Sequence, residues 1–474
     1  MISDEIKTKA PKVDNHIYGN MYVPLISGDH SVNIEKIINA FPIICNDLKS
    51  EDIKQTCYSI YALKQILKIT LAYTDILKEF LDYLLNSEFL SFLFQILTND
   101  LVHPFFLKNS LKILEIIIVC CPQVIDELLE YNIHNILVST LPNKNTTKCI
   151  TKMIELNENY RVFLIQSFFH KQILQMIENL SQMHSDLRYF YENIYVSILI
   201  ALQQFIQFDD SDYELFLKFF IRNFRVCNEL QTKSQYMYIK FMLESPDQEL
   251  MFRFVNHPQN IIYNLLENFG KPAYASVIDK VLEYFIQIIE SSNDYAAFFT
   301  SPNIVKLVNH MFLREDHIES IAKFIFAICA SSFENCQNFI NTEIFEEINF
   351  HFTNGTYEDK YSLYMVFNLL LRYPLNSSYA LFFSDPQLFD AQLFFEFGDT
   401  IIQNETEGEM DVLALYHIII DYIIDKQEHN FLGYASQHMT STDFCVMIQE
   451  CFNYKDDEFA NSAKALYQKI EDNF

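Results

Sequence analysis

A forty-residue echo constrains this chain more than any single motif does. Residues 291–308, SSNDYAAFFTSPNIVKLV, follow a helical apolar run that ends at Ile289. They supply a polar loop, an anchoring Phe299, a Pro302 at which a helix can open, and an apolar face of Ile304, Val305 and Val308. Forty residues on, Ser331 and Ser332 stand for Ser291 and Ser292, Phe339 for Phe299, and Ile344, Phe345 and Ile348 for the apolar face. A third copy, eighty-four residues after the first, sets Phe383, Pro386, Leu388 and Phe389 where Phe299, Pro302, Ile304 and Val305 stood. A unit this short cannot bury its apolar face alone, so its copies must stack on one another.

The echo extends as an anchor pair, an apolar residue followed five positions later by another that opens a helix. It recurs as Leu84/Phe89, Leu128/Ile133, Leu164/Phe169, Phe299/Ile304, Phe339/Ile344 and Phe383/Leu388. Weaker traces fall near Leu215 to Phe219 and at Val255 to Ile261. Each unit also carries a longer helix: Val281, Leu282, Phe285, Ile288 and Ile289 match Ile321, Ala322, Ile325, Ile328 and Cys329 on one broad stripe. Residues 111–119, 361–371 and 412–424 have the same character. Pro302 and Pro386 stand where helices open, at positions whose missing N–H costs nothing.

Composition agrees with long helices and short joints. Half the 474 residues are hydrophobic, with 44 Phe and 28 Tyr, but there are only 7 Gly and 12 Pro, too few for a turn-rich β fold or for glycine-loop nucleotide binding. The formal charge of −28 repels phosphate backbones and anionic lipid, which argues against direct nucleic-acid binding and admits protein partners with basic segments. The 10 Cys form no CxxC pair, and Cys120, Cys121 and Cys329 sit inside apolar runs as small hydrophobes of a reducing compartment. No run has signal-peptide or membrane-span character, so an intracellular, cytoplasmic location is expected, with the nucleus also open.

The apolar helix, the small polar loop, the Phe anchor and the following helix together resemble armadillo-type (ARM/HEAT-like) repeats, over roughly residues 50–455. The resemblance implies an all-α, right-handed α-solenoid. Residues 1–30, with Pro11, Gly19, Pro24 and Gly28 and little apolar periodicity, read as an extended or partly disordered leader. Residues 31–455 form a single array of about nine repeats that includes an N-terminal cap helix, and residues 456–474 form a C-terminal cap helix. Two departures stand out: Gly is nearly absent where an armadillo unit usually has one, and the chain has no Trp, so the Trp and Asn array of importin-alpha-like members has no counterpart.

No GxGxxG, GxxxxGK[ST], HExxH or GxSxG occurs. His429 and His438 read as surface residues, Cys445 and Cys451 lack an evident activating base, and the acidic run 396–411 lacks the ligand order of an EF-hand and reads as a solvated connector. No catalytic, cofactor or metal site is expected. A candidate binding face comes from helix geometry. Counting each second anchor as zero, positions two and six fall about 200° and 240° around, opposite the apolar residues at zero, one and four. The resemblance implies that this side lines a concave surface. It carries Ser91 and Gln95, Asn135 and Ser139, Lys171 and Gln175, Lys306 and His310, Glu346 and Phe350, and Asp390 and Phe394. The last four combine aromatic anchors with carboxylates suited to a basic segment. The expectation is a non-enzymatic interaction scaffold or adaptor; the alternative is a regulatory subunit of an enzyme complex or a nuclear-transport-type cargo receptor.

Overall fold

The computed structural model describes residues 34–50, 52–86, 88–99, 103–222, 229–244, 247–269, 271, 274–312, 315–373, 383, 385–404, 408–425 and 430–474. The expected leader lies outside them, as do His429, Glu405 and Glu407. Every regular element among them is helical. The chain divides into two compact units, the first ending at Phe219 and the second beginning at Phe220.

In the first unit α1 (Ile34–Asp47) and α2 (Ile53–Thr70) precede a pattern of two short helices and one long. It runs α3 (Thr74–Leu85), α4 (Phe89–Thr98), α5 (Pro104–Cys120); α6 (Val124–Glu130), α7 (Ile133–Ser139), α8 (Lys144–Leu156); and α9 (Glu158–Gln166), α10 (Phe169–Asn179), α11 (Ser185–Leu202). Then α12 (Asp210–Arg222) leads to the second unit, which opens with α13 (Glu229–Glu244). The pattern resumes as α14 (Gln248–Val255), α15 (Ile261–Asn268), α16 (Ile278–Ser291); α17 (Asn293–Phe299), α18 (Pro302–Met311), α19 (Ile318–Ser331); and α20 (Phe333–Phe339), α21 (Thr342–Asn354), α22 (Tyr357–Arg372). The last elements are α23 (Ala391–Gln403), α24 (Glu409–Ile424), α25 (Asn430–Met439), α26 (Thr442–Glu450) and α27 (Asp457–Asn473).

The long helices form the spine of each unit. In the first, α2, α5, α8 and α11 pack each on the next; in the second, α13, α16, α19, α22, α24 and α27 do the same. Neighbours cover them on both sides, and α5 accordingly buries Leu111, Ile113, Leu114, Ile116, Ile117 and Ile118.

The Ser-Ser echo has a local cause. Ser291 Oγ donates to the Ile288 carbonyl at 2.7 Å, closing α16, while Ser292, extended at φ −164°, caps α17 by accepting the Asp294 N–H at 3.2 Å. Ser331 donates to Ile328 at 2.6 Å and Ser332 accepts from Asn335 at 3.1 Å, the same joint one repeat on. One hydroxyl ends a helix and the next begins one. The anchors open the second short helices as expected: Phe89, Ile133, Phe169 and Ile261 are the first residues of α4, α7, α10 and α15. Phe299 is a buried plug, its ring 5.2 Å from Phe285 on α16 and 5.4 Å from Phe324 on α19.

The third copy departs from its expected register. Pro386 lies in a turn closed by the Leu388 and Phe389 N–H groups on the Asp385 carbonyl, both at 3.0 Å. Helix α23 waits for Asp390, whose carboxylate accepts the Leu393 N–H at 3.0 Å. Phe394, Phe395 and Gly398, all buried, therefore take the places of Ile344, Phe345 and Ile348.

Candidate functional site

The expected face is exposed wherever the register holds. Asn135 is exposed on α7 and donates to Asn132 at 2.8 Å; Gln175 is exposed on α10 and bonds Glu178 and Asn179. Lys171 is exposed but engaged, 2.5 Å from Asp209 Oδ2 and 4.0 Å from Asp212. That pairing, with the Ser211 hydroxyl and the Asp212 N–H, holds the Asp209 carboxyl well below its usual range. Residues 209–212 accordingly form a helix start with a buried Asp212. Lys306 and His310 are exposed on α18, and Glu346 and Phe350 on the adjacent α21, with the Phe350 ring 55% exposed.

The register shift removes the final pair. Phe394 is fully buried, stacked on Tyr364 with ring centroids 4.6 Å apart, and it cannot meet a partner. Asp390 is exposed but spends its carboxylate capping α23. The positions equivalent to Glu346 and Phe350 are Glu396 and Thr400. The acidic run 396–411 is likewise no single connector, since Glu396 and Asp399 belong to α23 and Glu409 and Asp411 to α24.

His438 is a second correction. Its Nε2 lies 3.1 Å from Asp399 Oδ2, its ring stacks 4.9 Å from Phe395, and its side chain is only 15% exposed. Asp399 also accepts from the Tyr416 hydroxyl at 2.9 Å. Burial and the Asp399 charge push that phenol well above its ordinary pKa, so it stays a proton donor within the core. Burial likewise raises the Cys445 thiol and pushes the Cys451 thiol up to about 11, the opposite of nucleophile activation. Among the described residues no group of three His, Cys, Asp or Glu is placed to hold a metal ion. No single described helix is long and apolar enough to cross a membrane.

A concavity of the second unit lies elsewhere, across three consecutive long helices. A groove of about 610 Å³ runs over α16, α19 and α22, with Ile286, Phe326 and Met365 as its apolar lining and Glu290, Lys323 and Tyr361 among its polar groups. Ala327 and Ala330 give α19, the middle helix, a low profile there. Lys323 is held by Glu319 at 2.6 Å along its own helix. Ile286 and Phe326 echo at forty residues as core positions do, which hides the groove in the sequence. The available signal was that they fall outside the stripe shared by Phe285 and Ile325.

No family model matches the sequence, and no curated protein matches it. Solved structures are similar to it. An engineered protein superposes with a TM-score of 0.53 at 10% identity, over 91% of this chain and 99% of its own. SYS-1 gives 0.48 at 12% identity, over 92% and 91%. A chain from a structure concerned with a phosphorylation switch in the cadherin and beta-catenin interaction gives 0.43 at 9%, over 96% and 99%. At 10% identity the likeness to the engineered protein is one of fold alone. Two short helices and one long, repeating at about forty residues, are the armadillo-type unit, and the chain has that all-α repeat fold.

Proposed function

We propose that this protein is a non-enzymatic interaction scaffold whose second unit receives a partner polypeptide in the groove across α16, α19 and α22. The observation that carries the reading is the groove itself. Its volume is in the range of sites that seat side chains, and it joins an apolar lining to a few polar groups. One Leu or Phe of a partner seated against Ile286, Phe326 and Met365 gains about 1.5–3 kcal/mol from burial. Glu290 and Lys323, of opposite sign, orient the segment. The raised thiols of half-buried Cys445 and buried Cys451 and the enclosed His438 support the non-enzymatic part, because none is a nucleophile with an activating base.

The test is selection of displayed peptides on the full chain, followed by titration of the winners. Peptides with a large apolar residue should bind the wild type and lose most of their affinity for Phe326→Asp. Selected peptides that bind this variant as well as the wild type overturn the reading.

A further inference from the structure

The long helices of the first unit reverse the sign of the chain. α2, α5 and α8, packed in succession, carry eight lysines against Glu115 and Glu155, in a protein of formal charge −28. In the second unit α16, α19, α22 and α24 carry four Lys and Arg against nine Asp and Glu. The basic character is therefore local to one row of helices.

Four of these lysines share a field. The Lys64 ammonium is pulled down to about 8, first by burial and then by Lys68 on its own helix and Lys108 and Lys112 on α5. Lys64 donates to Asn109 Oδ1 at 2.7 Å, a neutral partner, and lies 4.3 Å from the centre of the Tyr61 ring. Among the described residues Lys64, Lys68 and Lys108 have no carboxylate partner. Charge balance improves only further along, where Glu115 serves Lys112 at 3.5 Å and Lys148 at 3.8 Å, and Glu155 serves Lys152. Beside the unbalanced end, Tyr61, 41% exposed, stacks on Phe105 with centroids 6.4 Å apart. Like charges held together destabilise the free protein, and an anion relieves them.

We propose that this lysine row on α2 and α5, continuing onto α8, is a docking surface for an acidic polypeptide segment rich in Asp and Glu, with an apolar residue set against Tyr61 and Phe105. Packed helices stand about 8–10 Å apart and an extended chain advances about 3.3 Å per residue. A carboxylate at about every third residue therefore meets successive helices. The flanking short helices explain the preference for a peptide over a nucleic acid. α3, packed on α2, carries Asp75, Glu79 and Asp82 against Lys78, and α6, packed on α5, carries Asp126, Glu127 and Glu130, so a polyanion wider than the row meets the repulsion of these acidic neighbours. This surface is independent of the apolar groove in the second unit.

The test uses the full chain and a labelled Glu/Ser peptide with one central Phe, read by fluorescence anisotropy. The same peptide with Gln for Glu, an oligo-dT strand and phosphatidylserine vesicles serve as comparisons. The wild type should bind the Glu peptide, weaken with added salt and ignore the Gln version. Lys68→Gln with Lys108→Gln, both exposed and safe for folding, should lower affinity about tenfold and flatten the salt dependence. Lys464→Gln on α27 should change nothing. Phe326→Asp should retain the Glu peptide, which separates this surface from the groove. Absence of Glu-peptide binding, equal binding by the double variant, or tighter binding of oligo-dT or vesicles through these lysines would each overturn the proposal.

Discussion

Phe299 meets Phe324 edge to face, with ring centroids 5.4 Å apart and planes at 83°, so a residue of α17 is wedged against the long helix of its own repeat. The same ring lies 5.2 Å from Phe285 on the preceding long helix. Phe299→Ala therefore opens a void between two helices of the spine and should cost about 3–5 kcal/mol. Ser292→Ala removes only the cap of α17 and should cost about 1 kcal/mol. Urea unfolding of the two variants checks the order. Equal costs would mean the Phe299 site collapses around the void.

Phe350 and Phe394 were equivalent by sequence spacing and are opposite in the structure. Phe350→Ala, at an exposed ring on α21, should change stability by less than about 0.5 kcal/mol. Phe394→Ala strips a buried ring from Tyr364, Phe389 and Phe367 and should cost about 3–5 kcal/mol. Thermal melts of the pair decide it, and a destabilised Phe350→Ala would contradict the exposed placement.

What the sequence made legible was local or periodic. Paired serines, a Phe plug and an apolar stripe at forty residues fix the joint, the wedge and the spine, because each is written within a few residues and then repeated. The register of α23 was not legible. Asp385 and Pro386 mimic the Ser301 and Pro302 helix start, and only the competition between a turn at Asp385 and a cap at Asp390 decides where the helix begins. Contacts distant in sequence were hidden too. His438 and Asp399 meet only once α23 and α25 pack, and the groove depends on three helices from three repeats. Net charge concealed the lysine row, since an average over 474 residues hides three basic helices.

Gly398 is held by close approach, not by backbone conformation. A Cβ there would come within 2.5 Å of the Tyr416 hydroxyl and 2.6 Å of the Tyr364 hydroxyl. Both tyrosines are fully buried, and Tyr416 is tied to Asp399 at 2.9 Å. Replacing Gly by Ala inside a helix ordinarily stabilises by about 1 kcal/mol. Overpacking costs about 1–3 kcal/mol. Gly398→Ala should therefore be neutral to destabilising, against the helix-propensity trend, and a clear rise in the urea midpoint would show that the tyrosines yield.

His134 gives the first unit a defined acid sensitivity. Its Nδ1 is 2.9 Å from the Tyr160 hydroxyl, and its ring is enclosed by Phe163 and Phe169 with centroids 5.1 and 4.8 Å away. Burial holds its pKa down to about 4, whereas an unfolded histidine titrates near 6.5. Between those values the unfolded chain carries a proton that the folded chain lacks. Stability from this group is therefore complete above about pH 6.5 and declines as the pH falls toward 4, by about 3 kcal/mol in all. His134→Leu leaves the Tyr160 hydroxyl unpaired, a cost that does not vary with pH in this range. The stability gap between wild type and variant should thus be widest near neutral pH and narrow as the pH drops. Urea midpoints at pH 7.5, 6, 5 and 4.5 follow it, and a gap that stays constant would place the acid sensitivity in another group.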